Sequence, residues 1–169
     1  MKSHAFPVVR RTARGKRVTI LVADFHPVLA RGLVNGATHV LREAGVTASG
    51  IRVIRVPGAF ELPVVAAKLA GSHRRPDAII ALGVLIRGET RQYEVLAHAV
   101  ADGLSHVSVQ TGLPVGFGVV VASSVAQAKA RAAWPAPEAG GRKAPAVENR
   151  GAEAARAVVA VLHLFEVMK

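Results

Sequence analysis

Four short stretches of this 169-residue chain hold side chains able to do chemistry together. Asp24-Phe25-His26 offers an aromatic face for stacking on a planar group. Pro57-Gly58-Ala59-Phe60-Glu61 adds a second ring and a carboxylate that accepts hydrogen bonds from hydroxyl groups. Arg87-Gly88-Glu89-Thr90-Arg91-Gln92 is a glycine turn that opens a helix, whose free N–H groups suit phosphate. The fourth region leads to Arg131, whose guanidinium grips an oxyanion through parallel hydrogen bonds. Together they fit a planar, hydroxylated, phosphate-bearing ligand or pair of ligands. Each alone has a plainer reading: Phe25 as core, Glu61 as a helix N-terminal charge, Arg131 as a solvated side chain.

Other chemistries find no support. Gly116-Phe117-Gly118 lacks the third glycine of a dinucleotide fingerprint, and no phosphate loop of the Walker kind occurs. The absence of cysteine excludes disulfides, thiolate metal sites and cysteine nucleophiles. The seven histidines show no metal spacing; His98 and His106, two turns apart on one predicted helix, read as surface or interface residues. No cofactor and no metal are expected.

The hydrophobic pattern says what must position the four stretches. Residues 17–23 read as a strand buried on both faces. Val28, Leu29, Leu33, Val34, Ala37, Val40 and Leu41 then recur at helical spacing until Gly45 stops them. Residues 51–56 form a second strand, broken by Pro57-Gly58, and a helix runs on to Gly71. Residues 77–86 are the clearest buried strand, followed by a long helix over about 91–110. Residues 115–122 give a fourth strand, Ser123 or Ser124 caps a helix ending near Ala133, and residues 151–168 form an amphipathic last helix. The order βαβαβαβαα predicts an α/β fold, with a four-stranded parallel sheet flanked by helices on both faces. Ligands in such sheets bind beyond the carboxyl ends of the strands, where the four stretches converge.

Composition sets the outer bounds. With 51% hydrophobic and only 4% aromatic residues, the chain supports one core built from Ala, Val, Leu and Ile. No apolar run nears the roughly 18 residues of a membrane span, so a soluble protein is expected, and the lack of cysteine suits the cytoplasm. The net charge of +11 is concentrated at the start, where Lys2, Arg10, Arg11, Arg14, Lys16 and Arg17 precede the first acid, Asp24. Such an arm is able to contact nucleic acid phosphates, but reads first as a solvated tail beside an assembly surface, so nucleic acid is not an expected partner. A transit peptide also shares its Arg-rich, acid-free character, though serine is scarce and strand sequence begins by Val18. The expected organisation is a basic arm over 1–17 and a single α/β domain over 18–169. Its inserted loop, 132–148, carries three prolines and two adjacent glycines that forbid regular structure.

Three motifs in order resemble one family. Val56-Pro57-Gly58-Ala59-Phe60-Glu61-Leu62-Pro63, Ala81-Leu82-Gly83-Val84-Leu85-Ile86-Arg87-Gly88-Glu89-Thr90 and Thr111-Gly112-Leu113-Pro114-Val115-Gly116-Phe117-Gly118-Val119 are similar to those of 6,7-dimethyl-8-ribityllumazine synthases. The resemblance spans about Val18 to the C-terminus and implies a flavodoxin-like fold. It also implies a transferase of riboflavin biosynthesis that condenses 5-amino-6-ribitylaminouracil with 3,4-dihydroxy-2-butanone 4-phosphate. By the same resemblance Phe25 stacks on the pyrimidine, Ala59, Phe60 and Glu61 hold the ribityl chain, and Val84, Leu85 and Ile86 line the ring pocket. Phe117 comes from a neighbouring subunit. Glu89 and Thr90 present N–H groups to phosphate, Arg131 is its counter-charge, and Asn149-Arg150-Gly151 leaves Arg150 a cationic role.

The chain departs from that pattern where proton transfer is concerned. Gln92 stands at the position of the family's histidine, and an amide is no general base near neutral pH. The resemblance therefore implies a slow enzyme with His26 as a candidate substitute, or a weakened paralogue that binds a lumazine or flavin or serves as an oligomeric scaffold. The family's Arg-Phe-Asn is Asp24-Phe25-His26 here, changing the charge at that corner. Assembly is implied as a homopentamer or a pair of pentamers, with Phe6-Pro7-Val8-Val9 as a strand added to a neighbour's sheet. The inserted loop would obstruct closure into a shell.

Overall fold

A computed structural model describes residues 12–134 and 149–168. The candidate strand Phe6-Pro7-Val8-Val9, the first part of the basic arm and loop residues 135–148 lie outside the described residues. Four strands, β1 (Val18–Ala23), β2 (Ile51–Val56), β3 (Ala78–Ile86) and β4 (Val115–Ala122), pair in parallel in the order β2-β1-β3-β4. They alternate with α1 (Pro27–Glu43), α2 (Leu62–Ala70), α3 (Gln92–Thr111), α4 (Val125–Ala132) and α5 (Arg150–Val167). The fold is the expected three-layer, flavodoxin-like α/β arrangement.

Alternation along the strands divides the core in two. Val18, Ile20 and Val22 of β1 face α1, α4 and α5, while Leu21 and Ala23 face α2 and α3. Strands β1 and β3 are buried almost throughout, whereas β2 at the sheet edge exposes Arg52, Val53 and Arg55. Helix α2 turns Leu62, Ala66 and Ala70 inward at four-residue intervals, and a 3-10 turn over Ala59–Glu61 precedes it, leaving Phe60 outside. Gly116 and Gly118 of β4 lie under α5. A Cβ on Gly116 would stand 2.8 Å from the Ala154 carbonyl oxygen, so the Gly-Phe-Gly sequence serves helix–sheet packing.

Parallel register sets the shape of the carboxyl edge. Val22 is level with Leu82, so β3 continues past the end of β1 through Val84, Leu85 and Ile86, with β4 beside it as far as Ala122. This overhang forms a wall above the loops leaving β1 and β2. At the opposite edge, the last residues of the basic arm are docked. Ala13 is fully buried with its N–H on the Ala44 carbonyl, Arg17 N–H donates to Asp77 Oδ2 at 2.7 Å, and Lys16 pairs with Glu166.

Where α4 ends and α5 begins, the buried Asn149 joins three helices. Its Nδ2 lies 3.1 Å from the Gly32 carbonyl of α1 and 3.0 Å from those of Ala132 and Ala133, and its Oδ1 accepts the Ala152 N–H at 3.0 Å as the N-cap of α5. Glycines leave the room: a Cβ on Gly32 would stand 2.0 Å from the Ala132 oxygen, and one on Gly36 2.3 Å from Asn149 Oδ1. Asn149→Ala removes a cap and takes a donor from the buried Ala132 carbonyl, so it is expected to destabilise the fold by about 2 to 4 kcal/mol, read from urea midpoints at one protein concentration.

Candidate functional site

Two cavities hold the predicted site residues that line a cavity. The first, about 290 Å³, lies under the β3 overhang and is lined by Phe25, His26, the 58–61 turn, Val84, Leu85, Ile86, Gly88, Thr90, Gln92, Tyr93 and Leu96. Three strand exits thus supply one cleft, each for a local reason. Pro27 at the first turn of α1 holds the preceding residue outside the helix, with His26 at φ −120° and ψ 79°. The Gly58 N–H donates to Glu61 Oε2 at 2.8 Å, so one face of that carboxylate is anchored while its residue stays half-buried at the cleft. The Gly88–Gln92 turn delivers the start of α3, where the Gln92 N–H reaches Thr90 Oγ1 at 3.4 Å.

Aromatic residues stand outside the core. Phe25 is 76% exposed and Phe60 61% exposed, and both line the cleft, while Phe117 is 44% exposed on β4. The reading of Phe25 as core is thereby excluded. Edge-to-face contact with the His26 ring, centroids 5.0 Å apart, steadies the Phe25 ring beside the opening. Asp24 turns away to β2, accepting the Arg55 guanidinium at 2.6 Å, so its charge is matched before it meets the cleft.

The second cavity, about 650 Å³, runs along the free edge of β4 and is lined by Phe117, Gln127, Arg131 and Arg150 with the 119–122 backbone. The expectation that the Arg131 region converges with the other three stretches is corrected here. Helices α4 and α5 pack on the sheet face opposite α2 and α3, and that face cannot be read from strand ends alone. Arg150 is paired with Glu153. The Arg131 guanidinium has no hydrogen bond or ion pair among the described residues. Glu89 lies exposed on the turn and is not among the residues lining either cavity.

Sequence reasoning missed Tyr93 and Leu96, although an aromatic directly after Gln92 on a helix start is a signal for the former. Its hydroxyl donates to Glu94 Oε1 at 2.8 Å. That bond first, then desolvation and the Glu94 charge, hold the phenol above its usual titration range. At neutral pH Tyr93 is therefore an un-ionised donor. Among the described residues no group of three His, Asp or Glu side chains is placed to hold a metal ion, and no helix is long and apolar enough to cross a membrane.

The comparisons with known proteins agree with one another. A sequence model of the family described as 6,7-dimethyl-8-ribityllumazine synthase matches residues 15–166. A protein of that name from Renibacterium salmoninarum is 43% identical over 148 residues, covering 87% of each chain. One from Clavibacter sepedonicus is 40% identical across 100% of this chain and 99% of its own. One from Desulfotalea psychrophila is 38% identical over 93% and 94%.

Because Tyr93 is the only tyrosine, a spectrophotometric titration reads it alone. Its phenolate should appear above the ordinary phenol midpoint, and Glu94→Gln should move that midpoint down, since the substitution removes both the carboxylate acceptor and its charge.

Proposed function

The chain belongs to the 6,7-dimethyl-8-ribityllumazine synthase family, transferases of riboflavin biosynthesis, and on that premise we propose that it condenses 5-amino-6-ribitylaminouracil with 3,4-dihydroxy-2-butanone 4-phosphate. The observation that carries this reading is the first cleft, which gathers an aromatic face, an anchored carboxylate and a helix start from three successive strand exits. Phe25 stacks on the pyrimidine. Ala59, Phe60 and Glu61 hold the ribityl chain, with the free Glu61 oxygen accepting from its hydroxyls. Val84, Leu85 and Ile86 line the ring, and the N–H groups of the Glu89-Thr90 turn meet the phosphate. The uracil's 5-amino group attacks the ketone and loses water to give an imine; phosphate then leaves, and closure by the ribitylamino nitrogen expels a second water. Holding two substrates in register supplies several kcal/mol of such a reaction, and stabilising the departing phosphate supplies more.

The cations for that phosphate belong to the second cavity of a neighbouring copy. Phe117 and Arg131 lie along the free edge of β4, apart from the cleft of their own chain, which supports a site completed between subunits. Arg131 is the principal counter-charge because Glu153 already occupies Arg150. The Gln92 amide favours a second reading, a weakened paralogue that retains a lumazine or flavin, or an oligomeric scaffold. Incubating the purified chain with both substrates decides between them. The transferase yields one phosphate per lumazine, whereas the paralogue binds without turnover.

Two further outcomes are expected. Arg131→Ala should weaken inorganic phosphate binding, measured by calorimetry, by about 1.5 to 3 kcal/mol, with a smaller loss for Arg150→Ala. Light scattering should find a closed ring of about 88 kDa, five times 17.6 kDa, or a pair of such rings. A particle near a megadalton would refute the obstruction assigned to the loop after Trp134.

A further inference from the structure

We propose that His26 is the proton-transferring catalytic residue of this chain, an inference that rests on the condensation proposed above. Two of its steps need a group that both takes and returns a proton. After the imine forms, a base removes the proton on C3 of the butanone; the electron pair forms a C3–C4 double bond and the C4–O bond breaks, so phosphate leaves with its electrons. The protonated base then returns a proton to C4 as the enol becomes the ketone, and the enol's own O–H proton passes to water. The base ends as it began.

The groups lining the first cleft narrow the choice. Gln92 has an amide that neither gains nor loses a proton near neutral pH. Tyr93 is held as a phenol by Glu94. Thr90 has a hydroxyl, and one Glu61 oxygen is engaged by the Gly58 N–H while the residue stands where the ribityl chain is proposed to lie. Among the described residues His26 is the one imidazole lining the cleft, and an imidazole can both take and return a proton as a general acid–base catalyst.

Geometry also leaves that ring uncommitted. His26 occupies the N-cap position of α1, yet its side chain does not cap the helix, and among the described residues it has no hydrogen-bond or ion-pair partner. Its backbone is restrained by Pro27 and its ring by the edge-to-face contact with Phe25, the ring proposed to stack on the pyrimidine. A base fixed to the stacking ring is fixed relative to the substrate that carries the imine. The charged and titratable neighbours are Glu61 and Tyr93 across the cleft, Glu94 behind Tyr93, and Asp24 with Arg55 on the strand side.

The test is steady-state turnover of the full chain as a function of pH, for the parent, His26→Gln, His26→Asn, and His26→Gln combined with Gln92→His. Both single substitutions should lower kcat at least tenfold, with KM for each substrate changed less than about threefold, and should flatten the pH profile of kcat seen in the parent. Gln92→His should restore part of the lost kcat and the pH dependence with it. A purely structural role for His26 would not move the pH profile in this way. If the parent turns over and either well-folded single variant keeps its kcat and pH profile, the assignment to His26 is overturned while the condensation stands. A parent that forms no lumazine overturns the condensation, and this assignment with it.

Discussion

A buried amide must find partners for its donors and its acceptor, since each one left unmet costs about 1 to 3 kcal/mol. Asn149 can meet that demand only where the Gly32, Ala132 and Ala133 carbonyls and the Ala152 N–H converge, which fixes α1, the end of α4 and the start of α5 against one another. Arg131 sits one residue before the first of the α4 carbonyls, and Arg150 directly follows the asparagine. The position of both guanidiniums at the β4 edge is thus a consequence of one side chain's hydrogen bonding.

The second constraint is that, among the described residues, no aromatic side chain is fully buried in the core. Ala, Val, Leu and Ile fill both faces of the sheet, and the described phenylalanines Phe25, Phe60, Phe117 and Phe165 all stand at the surface. Leaving such rings in water forfeits apolar burial worth about 1.5 to 3 kcal/mol each. Phe25 and Phe60 flank the first cleft and Phe117 the second, so the unburied area of these three falls where a ligand or a second copy would cover it. On the proposed reading that cover is the pyrimidine on one side and a neighbouring chain on the other.

The elements were legible because each rests on a local signal. Buried strands appear as near-continuous apolar runs rich in Val and Ile, and Gly45 and Gly112 end helices at positive φ, where residues with a Cβ are disfavoured. The membership of the first cleft was legible in large part, because parallel strands exit at one edge. What stayed hidden depends on pairs distant in sequence. Nothing around Asp24 announces Arg55, 31 residues away, and nothing around Arg131 tells which sheet face α4 will cover. Asn149 reads as an N-cap from its place before Gly151, but its bond to Gly32 spans 117 residues and is invisible without the fold.

A parallel sheet offers several equivalent seats for a catalytic group. His26 precedes α1 and Gln92 begins α3, so both stand at the start of a helix that follows a strand, and both line one cleft. On the proposed reading, stacking, hydroxyl recognition and phosphate binding each depend on a backbone shape: the exit of β1, the Gly58–Glu61 turn and the Gly88–Gln92 turn. A proton carrier depends on less, needing only an imidazole within reach of the reacting carbon. It is therefore the component most readily moved from one strand exit to another while the rest of the site keeps its form, and an amide at position 92 is compatible with a working site once an imidazole occupies position 26.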